Sequence, residues 1–103
     1  MINKQAMAYR KALKLLDAGR DEEAMVTLNN VIEESQAERD NLNLVRSACV
    51  LGEYFFKNEN FAEAKINLEL VINAAVDEDE ADILAFEIGL AKELYEKLPE
   101  NKK

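Results

Sequence analysis

The 103-residue chain contains no histidine, no tryptophan, one cysteine, one proline and three glycines. Without histidine it lacks the usual general base near neutral pH, the commonest metal ligand, and the base that activates serine or cysteine nucleophiles. Side-chain hydroxyls are scarce as well: Thr27, Ser35, Ser47 and three tyrosines. No glycine-rich phosphate loop is present, and a zinc site would need several thiolates or imidazoles where Cys49 stands alone. A lone cysteine also rules out an intrachain disulfide and a stapled secreted scaffold, which makes a reducing cytoplasm the expected compartment. Neither enzymatic activity nor a cofactor is expected.

No apolar run approaches the ~20 residues of a membrane span, and the first ten residues lack the apolar stretch of a signal peptide. Twenty-one acids against 13 bases give a formal net charge of −8. That sign repels phosphate backbones and anionic bilayers, so the expected partner is a protein or peptide, with no nucleic acid and no membrane. Carboxylate pairs such as Glu22/Glu23 and Glu33/Glu34 fall on what should be wet helix faces. Acid–base work needs two acids across a pocket, one with its pKa raised by burial. An EF-hand calcium loop needs a central glycine among its oxygen ligands, and the acidic run Asp77-Glu78-Asp79-Glu80-Ala81-Asp82 has none, so it does not read as one. It reads as a solvated loop feeding acids into a helix N-terminus.

With so few breakers, nearly everything before Pro99 can be helical. Ala8, Ala12, Leu15 and Leu16 share one stripe of a first helix, which stops at Gly19. Asp21-Glu22-Glu23 opens a second helix through Ala24, Leu28, Val31 and Ile32. A connection is placed near residues 37–41, with Asp40 as cap. A third helix carries Leu44, Ala48, Leu51, Gly52, Phe55 and Phe56. Asn60-Phe61-Ala62-Glu63 reads as a capping box for a fourth, through Ala64, Leu68, Val71 and Ile72. A fifth helix, over about residues 80–98, carries Leu84, Phe86, Ile88, Leu90, Ala91, Leu94 and Leu98. Pro99 and a polar tail over residues 100–103 follow.

The first two helices echo the next two at an offset of 40 residues: Ala8/Ala48, Glu23/Glu63, Ala24/Ala64, Leu28/Leu68, Val31/Val71 and Ile32/Ile72. Ala12 corresponds to Gly52, and Leu15-Leu16 to Phe55-Phe56. Apart from the glutamates, every match is a packing position, the mark of a helical solenoid. Leu51-Gly52, Phe55, Phe61, Ala64 and Leu68 stand at the spacing of the tetratricopeptide repeat, which the chain resembles over about residues 5–76. In the first unit, Ala12, Leu15, Ala24, Leu28 and the turn Gly19-Arg20-Asp21-Glu22-Glu23-Ala24 carry the same pattern. Ala8 and Ala48 stand where the family prefers tryptophan, Val31 and Val71 replace its second alanine, and Gln36 and Val76 replace its closing proline. The 40-residue period exceeds the family's usual 34 and implies longer helices or looser connections. Ile88-Gly89 echoes Leu51-Gly52 at an offset of 37, as the start of a third unit without its second helix.

The resemblance implies an all-α fold: a single domain of antiparallel helical hairpins stacked as a short right-handed solenoid of about five helices. Hairpin 1 covers about residues 3–37, hairpin 2 about 41–76, and the C-terminal helix about 80–98. It also implies a non-catalytic adaptor or small chaperone whose concave groove takes an apolar peptide or helix of a partner. By position the groove lining is Tyr9, Leu13, Leu16, Arg46, Cys49, Glu53, Phe56, Phe86 and Leu90. Tyr9 and Leu13 occupy slots where the family's carboxylate clamp would need lysine or asparagine, so an apolar ligand fits better. Cys49, with only Arg46 as a basic neighbour, is expected to be an unreactive packing or groove residue. The last helix carries two apolar stripes, one through Phe86, Leu90, Leu94 and Leu98 and one through Leu84, Ile88, Ala91 and Tyr95. One stripe can cover the second hairpin, and the other makes a homodimer through the C-terminal helix an expectation. The alternative architecture is a compact helical bundle, a regulatory or immunity-type protein acting as a homodimer.

Overall fold

A computed structural model describes residues 3–99, and the polar tail over residues 100–103 lies outside them. The described chain is all-helical, without a strand: α1 Lys4–Asp17, α2 Asp21–Glu38, α3 Asn41–Lys57, α4 Phe61–Ile72, α5 Glu78–Ile83 and α6 Ala85–Glu96. Six helices stand where five were expected because the last is split at Leu84, a fully buried residue with φ −98° and ψ 14°. Hydrogen bonds still bridge the break. The Leu84 amide donates to Glu80 O at 2.9 Å and the Ile88 amide to Leu84 O at 2.9 Å, so α5 and α6 form one jointed rod. Its start is fixed by a reciprocal box: Asp77 Oδ1 accepts from the Glu80 amide at 2.8 Å, and Glu80 Oε1 accepts from the Asp77 amide at 3.1 Å.

The 40-residue repeat extends to the turns. At the end of α1 the Gly19 amide donates to Leu16 O and the Arg20 amide to Leu15 O. At the end of α3 the Glu59 amide donates to Phe56 O and the Asn60 amide to Phe55 O. Both are Schellman turns with a left-handed residue at the hinge, Gly19 at φ 76° and Glu59 at φ 61°. At Asn60 only the acceptor half of the expected capping box forms, because its amide already serves Phe55 O. α2 and α4 begin 40 residues apart, but α2 runs on past Ile32 to Glu38 whereas α4 stops at Ile72. That extension accounts for the long period. α2 closes in a third Schellman turn, with Arg39 at φ 58° and the Asp40 amide donating to Ser35 O.

The small residues sit at close helix contacts. Ala12, Ala24, Ala48 and Ala64 are fully buried, and Gly52 faces Leu68 across the α3–α4 hairpin. Gly89 meets nothing within 4 Å and is exposed, so it is not the counterpart of Gly52. In burial, Leu84 and Ala91 instead follow Leu44 and Leu51, which keeps the last helix at the offset of 40.

α1 packs on α2, α2 on α3, and α3 on α4; α6 lies in the corner between α3 and α4, and α1 also touches α3. α1 and α6 are not among the packed pairs. The extents are 48 × 35 × 21 Å, and the shortest is about two helix diameters. Leu28, Leu51, Leu68, Leu84 and Leu98 are fully buried, each contributing about 1.5–3 kcal/mol of burial. Both apolar stripes of α6 are absorbed by the corner. Ala91, Leu84 and Leu98 are buried, and Ile88, Leu90, Leu94 and Tyr95 pack half-buried on the core. Phe86 alone is left out, at 75% exposure.

Candidate protein-binding surface

Arg46, Cys49 and Glu53 are spaced i, i+3, i+7 and therefore share one face of α3. Tyr9 reaches that face from α1 and Glu87 from α6. The Cys49 thiol donates to Glu87 O at 3.8 Å, and Arg46 Nε lies 3.9 Å from Glu87 Oε2. Burial pushes the Tyr9 hydroxyl pKa above its ordinary value, the Glu87 carboxylate adds to this, and Arg46 opposes it. α1 and α6 thus both meet α3 at this place.

Cys49 is buried and unpaired. Burial first, then the Glu87 and Glu53 carboxylates, push its thiol up to about 12. It stays protonated at neutral pH and offers no nucleophile. Glu22, Glu23, Glu33 and Glu34 are all exposed. Among the described residues no cluster of cysteine, aspartate and glutamate is arranged to hold a metal ion, and no helix is long and apolar enough to cross a membrane.

The other residues predicted to line a groove divide by environment. Leu13 and Leu16 are half-buried on α1. Phe56 packs edge-on against Phe61 at 5.5 Å, which places its ring in the α3–α4 contact. Leu90 is half-buried against the core, whereas Phe86 is open to solvent. Glu53 pairs with Lys57 at 3.7 Å along the same helix.

Glu87 was not singled out from the sequence, although a signal existed. It is the only charge in the apolar stretch 83–91, as Arg46 is in 44–52. A solitary acid and a solitary base on two apolar helices are natural partners when those helices pack.

Compared with known proteins, the chain matches no family model, no curated protein and no solved structure.

Proposed function

We propose that the chain is a non-catalytic protein-interaction module of the tetratricopeptide type, which holds an apolar peptide or helix of a partner on the face shared by α1, α3 and α6. The observation that carries this reading is the meeting of Tyr9, Arg46 and Glu87 over the buried Cys49. Tyr9, Leu13, Leu90 and Phe86 supply apolar area around it, and Arg46, Glu53 and Glu87 supply charges that can orient a ligand. An interaction face of this kind, with aromatic anchors among a few fixed charges, suits an amphipathic segment better than a small molecule. The order of packing, in which α1 and α6 each pack on α3 and are not themselves one of the closely packed pairs, favours an open stack over a closed bundle.

A photo-crosslinking amino acid placed at Leu13 or Leu90 tests the face directly, with the same probe at exposed Asn29 on α2 as control. Partners captured from Leu13 and Leu90, absent from Asn29 and lost when Tyr9→Ala is added to the probe-bearing protein at unchanged helicity, are the expected result. Equal capture from all three positions would sink the assignment.

A further inference from the structure

The two ends of the stack carry opposite charge, and each has an apolar centre. At one end α1 exposes Lys4, Met7, Lys11 and Lys14 at i, i+3, i+7 and i+10, a single stripe, with Arg10 beside it. Met7 is 53% exposed, and among the described residues none of these four bases forms an ion pair. At the other end Asp79, Asp82, Ile83 and Phe86 fall at i, i+3, i+4 and i+7 on the jointed rod α5–α6. Ile83 is 57% and Phe86 75% exposed. Residues 77–82 hold five acids and no base.

From this complementarity we propose that the chain associates with a second copy of itself head to tail, the α1 stripe of one copy covering the α5–α6 stripe of the next. Met7 meets Ile83 and Phe86 while Lys11 and Lys14 meet Asp79 and Asp82. This goes beyond the partner-binding face: the α1 stripe lies outside the residues assigned to it, and Phe86 is the one residue that the two surfaces share. A two-fold dimer through the C-terminal helix, the expectation from the sequence, would bring the acidic stretch 77–82 of one copy towards that of the other with no base between them, which is repulsive. The head-to-tail contact pairs opposite charges instead. Since each copy has one head and one tail at separate ends, the contact repeats from copy to copy. Two helix stripes bury less than a standard interface, so the association is weak and salt-sensitive.

Sedimentation of the full chain over a concentration series tests this. The wild type is expected to gain mass with concentration at about 20 mM salt, and to lose at least about tenfold in association constant at about 0.5 M salt, where screening is nearly complete. Met7→Gln/Lys11→Gln/Lys14→Gln (head) and Asp79→Asn/Asp82→Asn/Ile83→Gln (tail) should each be monomeric alone. An equimolar mixture of the two should form a one-to-one dimer, since each retains the end that the other has lost. A head variant that associates as the wild type does would overturn the proposal in favour of the two-fold dimer. A wild type that stays monomeric throughout, including one that binds anionic vesicles through α1, would overturn it outright. Neither result bears on the crosslinks from Leu13 and Leu90.

Discussion

A Cβ placed on Gly52 would lie 2.7 Å from Cδ2 of Leu68, a side chain with no solvent exposure. Leu68 fills the space that any side chain at position 52 would need, and α3 and α4 approach closely because nothing is there. Gly52→Ala should gain up to about 1 kcal/mol in helix propensity and lose about 1–3 kcal/mol to over-packing. The expected net effect is a destabilisation of about 1 kcal/mol. Gly89→Ala has open space at the same chemical change, so it should stabilise by about 0.5–1 kcal/mol. Chemical denaturation of both variants checks the sign of each. If both stabilise, Gly52 is not a contact residue.

The Schellman turns supply a second comparison. Gly19 and Glu59 hold the same left-handed hinge, at φ 76° and φ 61°, with the same pair of backbone hydrogen bonds. Only Gly19 does so without steric cost, since a left-handed residue with a Cβ costs about 1–2 kcal/mol. Glu59→Gly should therefore stabilise by about 0.5–1 kcal/mol after the added freedom of the unfolded chain is subtracted. Gly19→Ala should destabilise by about 1 kcal/mol. Arg39→Gly, at the end of α2, should behave as Glu59→Gly does. Thermal melts of the three proteins give the answer, and a Glu59→Gly protein that melts lower would contradict the turn geometry.

The two hairpins were legible because their packing rests on residue size at helical spacing. Ala24/Ala64 and Leu28/Leu68 repeat at an offset of 40, and all four are fully buried. The caps at Asp40 and Asn60 were legible from their side chains, and both accept the amide three residues on. What the residues conceal is conformation that a residue adopts against its preference. Glutamate at position 59 gives no sign of a positive φ, and Leu84 gives none of a break in a helix. The two stripes of the last helix misled for a different reason. A helix lying in a corner between α3 and α4 buries a wider arc than one packed on a single neighbour, so, Phe86 apart, what looked like surplus apolar surface lies in or against the core. The register of that helix was misread at Gly89, because a glycine in a sequence does not reveal whether anything approaches it.

Cys49 provides a pH-dependent test of the face where α1, α3 and α6 meet. Its thiol titrates at about 12 in the folded chain against an ordinary 9.0, so the native state holds this proton more tightly than the unfolded state does. The resulting stabilisation is fully present below pH 9 and is lost as pH rises from 9 through about 12. Burial and the Glu87 carboxylate shift the Tyr9 hydroxyl in the same direction, so its contribution has the same sign. Stability to denaturant should thus fall between pH 9 and pH 11, with a shallower fall in Cys49→Ala than in wild type. At pH 8 the native thiol should react with iodoacetamide roughly a thousandfold more slowly than the unfolded one, because only the thiolate attacks. Glu87→Gln removes one of the charges that raise the thiol while leaving burial in place. It should speed alkylation without reaching the unfolded rate, and an unchanged rate would mean that Glu87 does not lie against Cys49 in solution.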